Sequence, residues 1–437
     1  MNNFTYPADL YNLTKAEWNR KVWPHETIPA LPDKDEFQKI IDVVYHASFL
    51  TEERRRIWFR VVHVSKKAIR KTGKILEDPR IVEFTSPRPF DVSELVKLAP
   101  AADPTQVLIG VCKGDSGELE IWGLIEAGTS WWEFQRHETS GARPPPNAFT
   151  LCSRKPGQIN ISRSGHLVLI LDQGRIVKPS WRVFYEGPVA DFLQRGAQEL
   201  YQEVCKRIKA ECYDPEGHDD DYPKRAYVFL LQRVLNRIRE RFHGGTLIVT
   251  PDTIDINDTR LKDRIVIKYP CHYDDARESL VNELVKHRDY FDLHFKLWDK
   301  KQIEQDEYQQ CEIEQSHYEE AEEMVKRAVG FLSSLAAVDG AVVITDKLRL
   351  LGFGAEIVAS SPSLTKVKMI TEFRKGIGEF RDIEFFGTRH RSAFRFCSSL
   401  EDSVAFIVSQ DGETKVAKRV GSEVILWTNI DVGALGF

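Results

Sequence analysis

The chain has 437 residues, 42% hydrophobic and 29% charged, with a net charge of −5. That length predicts two or three domains with sizeable cores, and the composition is that of a globular protein rather than a disordered or fibrous one. The acidic balance excludes non-specific duplex binding through the whole surface, so no specific nucleic acid partner is expected.

In chain order, residues 1–33 are rich in Pro, Asn and aromatics without periodicity and read as an extended amino-terminal arm. From Asp35 the apolar positions Phe37, Ile41, Val44 and Ala47 recur at helical spacing. The alternating Ile57, Phe59 and Val61 and the run Ile81–Phe84 read as strands, with a short helix over Ser93–Leu98 before Pro100. Residues 34–105 thus form a small α+β segment.

Residues 106–190 change character. The short apolar runs Val107–Val111, Leu119–Ile125, Phe149–Cys152, Ile159–Ile161 and Leu167–Leu171 are punctuated by Gly and Pro, which predicts a β-rich sandwich or barrel-like domain. The aromatic group Trp122, Trp131, Trp132 and Phe134 reads as core or domain interface rather than a ligand cage.

After Gly187-Pro188 the pattern turns helical. Leu193, Ala197, Leu200, Val204 and Ile208 make one apolar face, and Tyr227, Leu231, Val234, Ile238 and Phe242 make another. Between them, the acidic loop Asp214–Asp221 is a solvated stretch before it is a metal site. A helix carrying Leu280, Leu284 and Phe291 comes next. A long Gln- and Glu-rich helix then places Tyr318, Ala321, Val325, Ala328, Leu332 and Leu335 on its inner stripe. Within a last domain over residues 191–437, the pattern from residue 225 onward predicts a mixed sheet flanked by helices, and the whole chain is then a mixed α/β (α+β) protein with a β-rich amino-terminal half.

The seven cysteines are scattered without C-x-x-C pairing, which argues against a disulfide framework or a structural zinc site and implies a reducing, cytoplasmic setting. The amino terminus lacks a basic region followed by an apolar core. No apolar run approaches the roughly 20 residues of a membrane span, so no membrane partner is expected.

Two segments carry the chemistry. Gly387-Thr388-Arg389-His390-Arg391 packs two guanidiniums and an imidazole into five residues, and Asp339-Gly340-Ala341 heads the strand-like run Val342-Val343-Ile344. Arg is the residue type for bidentate phosphate contacts, and an acid beside bound phosphates serves a metal or a hydroxyl. Gly387-Thr388 predicts a helix start, with Thr388 as its cap, where unpaired N–H groups and the dipole favour anions. From Lys366 to Arg395 there are eight Lys/Arg against four acids, a local basic excess suited to a phosphate-bearing ligand. Standing alone, Asp339 reads as a turn aspartate, His390 as a neutral packing residue, and Gly352 and Gly354 as a bulge or turn.

The order and flanks of these segments resemble the diadenylate cyclase domain family. The resemblance rests on His243-Gly244-Gly245-Thr246-Leu247-Ile248-Val249, the Asp-Gly-Ala segment, the Gly-Thr-Arg-His-Arg segment, and Val404–Val408 followed by Ser409-Gln410-Asp411. It covers roughly the last 210 residues, with an expansion between residues 270 and 320. Where the family usually has Ser-Glu-Glu, this chain has Ser409-Gln410-Asp411. The chain also resembles a variant subset, the DACNV-type proteins, in which such a domain stands behind a β-rich amino-terminal half and has been proposed to be a nucleotide sensor.

The resemblance implies the roles. Asp339, Gly340 and Ala341 would be catalytic. Gly387, Thr388, Arg389, His390 and Arg391 would hold the triphosphate of ATP, and Gly352 and Gly354 would face the base. Asp339 and Asp411 would hold Mg or Mn. The leading expectation is then a nucleotidyltransferase that condenses two ATP into cyclic di-AMP and pyrophosphate across a homodimer. The alternative is a sensor that uses the same pocket without turnover.

Overall fold

In the computed structural model the described residues are 4–19, 27–69, 80–126, 131, 133, 136, 146–163, 165–178, 181–208, 222–241, 243–298, 300, 303–372, 377–410 and 412–433. Trp132, Phe134, the loop Asp214–Asp221, Phe242 and Asp411, all singled out above, lie outside them. The chain divides into two compact units, residues 1–179 with 433–437 and residues 180–432.

The first unit is built on an eight-stranded mixed sheet. Its helices are α1 (Leu10–Trp18), α2 (Lys34–Ala47), α3 (Lys66–Ile69) and α4 (Val92–Leu98). A small hairpin of β1 (Thr51–Glu52) and β2 (Arg55–Arg56) stands apart from that sheet. The sheet comprises β3 (Phe59–His63), β4 (Arg80–Pro89), β5 (Val107–Lys113), β6 (Leu119–Glu126), β7 (Phe149–Ser153), β8 (Gln158–Arg163), β9 (His166–Asp172) and β10 (Arg175–Val177), in the order β10-β9-β8-β7-β3-β5-β6-β4. The expected segments 34–105 and 106–190 both supply strands to this one sheet.

Strand alternation sets its two faces. Phe59 and Val61 join Phe37, Ile41 and Val44 of α2 in the larger core, while Val62 faces Trp122, Leu108 and Trp131 on the other side. Trp122 is buried and donates from Nε1 to the Val64 carbonyl at 2.9 Å, which satisfies its one polar atom. The arm expected over residues 1–33 contains α1, because Leu10, Thr14 and Trp18 recur every four residues and are all buried. Trp18 packs on Phe149 with ring centroids 5.8 Å apart.

The second unit carries helices on both faces of a nine-stranded mixed sheet, as the pattern from residue 225 onward predicts. Its helices are α5 (Pro188–Ile208), α6 (Tyr222–Glu240), α7 (Thr259–Lys262), α8 (Asp275–Trp298), α9 (Gln305–Leu335) and α10 (Thr388–Ser399). The strands are β11 (Gly245–Thr250), β12 (Ile265–Tyr273), β13 (Ala341–Thr345), β14 (Leu350–Ile357), β15 (Lys366–Glu372), β16 (Ile377–Asp382), β17 (Val404–Val408), β18 (Thr414–Val420) and β19 (Glu423–Trp427). They run in the order β12-β14-β13-β11-β17-β18-β19-β15-β16.

The central strands β11, β13 and β17 are buried along their whole length, so they read as continuous apolar runs rather than alternating ones. Leu247 and Val249 of β11 and Phe406 of β17 pack against Leu231 of α6 and Val325 and Leu332 of α9. Ile248, Ala405 and Ile407 face the opposite way, onto Phe394 and Phe396 of α10. Helix α5 meets the turn between β13 and β14 backbone to backbone. A methyl group at Gly196 would collide with the Asp346 carbonyl, which also accepts the Tyr227 hydroxyl at 2.6 Å. Among the described residues no helix is long and apolar enough to cross a membrane.

Candidate functional site

The site assembles where the central strands of the second unit end. β11 lies between β13, parallel to it, and β17, antiparallel, with Thr246 opposite Ala341 and Gly245 opposite Val408. The segments His243-Gly244, Asp339-Gly340 and Ser409-Gln410 therefore leave the sheet at one common end. Gly244 is buried with φ +63°, and a Cβ there would sit 2.6 Å from Arg389 Nη1 and 3.2 Å from the Gln410 nitrogen. Only a residue without a side chain lets the guanidinium rest against this backbone. Gly340 has φ +118°, and its Cβ would lie 2.6 Å from the Gly354 carbonyl carbon. Gly354 in turn abuts the Tyr269 ring and Val338.

The two motifs are thus brought to one end of the sheet. Asp339, Gly340 and Arg389 are exposed there, whereas Gly352 and Gly354 are buried within β14. Ala341 is buried as the first residue of β13.

The phosphate-binding expectation divides at α10. The cap of this helix is Gly387, not Thr388; the chain is still extended at Gly387 (ψ 163°), and Thr388 is already the first helical residue. No side chain caps the turn, and Gly387, Thr388 and Arg389 are all exposed, so the uncapped start of the helix is accessible beside Arg389.

Arg391 is committed elsewhere: its Nη1 donates to Glu384 Oε2. His390 sits between Phe386 and Phe394, with ring centroids at 5.8 and 6.2 Å. Burial, with Lys415 and Arg389 nearby, pushes its pKa down to about 4, so the imidazole is neutral at ordinary pH. It contributes packing rather than a third positive charge. Arg389 has no acidic partner among the described residues, which makes it the cation of the motif available to an anion.

A divalent cation fits this set through Asp339 together with ligand phosphate oxygens, as a Mg held by one carboxylate plus phosphates would be. Among the described residues no three His, Cys, Asp or Glu side chains gather to hold a metal by themselves.

The sequence reading passed over a cleft of about 620 Å³ lined by the loop from Ile357 to Thr365, by Asp382 and Glu384, and by Arg395. Its size falls within the roughly 300–1,000 Å³ of small-molecule sites. Glu384 belongs to the cleft wall and to the Arg391 ion pair, so the cleft and the start of α10 share a charged boundary. In the sequence this loop shows only as the short run Ser360-Ser361-Pro362, which breaks the chain after β14 and carries no motif that marks a cleft.

No curated protein and no solved structure matches the chain. One family model does, in the first unit and not over the sheet end just described: residues 26–126, a stretch that holds α2 and runs through β6, match the family described as "Probable sensor domain DACNV".

Proposed function

We propose that the chain is a nucleotide sensor whose ligand binds at the sheet end of the second unit, with a phosphate at Arg389 and the open start of α10. The observation that carries this reading is the division of charge within the motif. Arg389 lies beside Gly244 with no acidic partner among the described residues, while Arg391 is neutralised by Glu384 and His390 is uncharged. One guanidinium and a helix terminus suit a ligand with one phosphate charge at this point, as in a cyclic dinucleotide, better than an isolated triphosphate. The match of residues 26–126 to a probable sensor domain supports the same reading.

A second reading, turnover of ATP to cyclic di-AMP by a homodimer, is favoured by Asp339, which stands exposed at the head of β13. Mg or Mn bound there would lower the barrier to deprotonating a ribose hydroxyl.

Calorimetric titration of the purified protein with cyclic di-AMP and with ATP, alongside chromatography after incubation with ATP and Mn, separates the two. Binding without product, lost in Arg389→Ala, is the expected result. Cyclic dinucleotide among the products establishes the enzyme instead, and absence of binding by either ligand sinks both.

A further inference from the structure

Helix α9 has a second apolar line besides the stripe it buries. Ile313, Met324 and Phe331 remain 47%, 46% and 44% exposed. They are spaced eleven and seven residues apart, which at about 100° per residue returns each to within roughly 20° of the same direction. At 1.5 Å per residue the line is about 27 Å long. At its Phe331 end it reaches the outer strand of the sheet. The Phe331 ring lies 4.7 Å from Tyr273 of β12, and Tyr269 on the same strand stacks on Phe353 at 4.9 Å. Single exposed apolar residues are ordinary, but an aligned set is the mark of an interaction surface.

Charge identifies what covers it. Residues 305–323 of α9 hold eight Asp/Glu and no Lys or Arg, whereas residues 324–335 hold Lys326 and Arg327 and no acid. A basic partner would match only the first half and an acidic partner only the second. A second copy of the same helix, laid antiparallel, matches both. With a two-fold axis passing between Glu323 and Met324, Glu320 of each copy faces Arg327 of the other, and both flank the Met324 line. The Arg327 side chain is 70% exposed and, among the described residues, its one ion pair is a 3.4 Å contact with Glu323, so it is available for that pairing.

We propose that the outer line of α9 is an interface between two copies of this chain, packed antiparallel about Met324. The contact is isologous and closes with two subunits. It holds whether or not a nucleotide binds at the sheet end.

Sedimentation velocity of the full chain over a concentration series tests it. The expected result is a dimer whose dissociation constant rises at least about tenfold in Met324→Asp, with an unchanged circular dichroism spectrum, since the position is on the surface. Glu320→Arg and Arg327→Glu should each weaken the dimer roughly three- to tenfold, and the two together should restore it, because the cycle re-forms the pair with its signs exchanged. A chain that stays monomeric at about 100 μM overturns the proposal. So does a dimer indifferent to Met324→Asp, or a double variant no tighter than the weaker single one.

Discussion

The guanidinium of Arg389 fills the space that a side chain at Gly244 would need. A Cβ on Gly244 would approach Nη1 to 2.6 Å and the Val408 carbonyl to 2.7 Å, at a backbone φ of +63°. The strand that opens the core and the helix that carries the cation are thereby in direct contact.

Gly244→Ala should therefore act twice. The strained φ and the collision cost on the order of 1–3 kcal/mol of folding stability, and displacement of Arg389 should weaken nucleotide binding about tenfold. Denaturant unfolding and calorimetry on the same preparation check both effects. Intact affinity in a measurably destabilised variant would detach Arg389 from ligand binding.

Glu384→Gln releases Arg391 from its ion pair. If phosphate binds at the start of α10, this variant should gain affinity roughly three- to tenfold, with a steeper dependence on ionic strength. Unchanged affinity at low salt would place the ligand phosphate beyond the reach of Arg391.

How much of this was legible beforehand differs between levels. The helices were visible because their apolar positions repeat: Phe37, Ile41 and Val44 in α2, and Tyr318, Val325 and Leu332 in α9 are all buried. Helix α1 was hidden, because one of its three inward positions is Thr14, which carries no hydrophobic signal. The Arg391–Glu384 pair was equally hidden. It depends on the tight turn Ile383–Phe385, which folds the acid back toward the helix, and no spacing rule registers a contact across a turn of that kind. The cleft draws its wall from three separate chain segments, so local sequence could not announce it.

Glu283 on α8 gives the protein a pH signature. It is 7% exposed, and burial, reinforced by Glu322 and opposed by Arg233, pushes its pKa up to about 8. The native state therefore binds a proton that the unfolded chain releases near its ordinary value of 4.5. Stability from this group is fully present below that pH and is lost as pH rises toward 8. Against Glu283→Gln, the wild type should lose roughly 2–4 kcal/mol between pH 5 and pH 8.5. Denaturant midpoints at several pH values measure the difference, and parallel curves for the two proteins would refute it.

Tyr227→Phe removes the hydroxyl that bonds to the Asp346 carbonyl, a contact buried at both ends. The expected loss is about 1–2 kcal/mol of stability, with ligand affinity unchanged, since Tyr227 is remote from the strand end that carries Asp339. Thermal unfolding with and without ligand reads both quantities.

That last contact has a wider consequence. β13 runs for only five residues, from just after Asp339 to just before Asp346. Its far end bears on α5 at Gly196, where no side chain cushions the approach. All five of its residues pair in register with β11, whereas its pairing with β14 is interrupted by irregularities, so β11 is the neighbour that fixes its position. One five-residue strand therefore separates the exposed aspartate at the candidate site from the buried backbone contact with the first long helix of its unit.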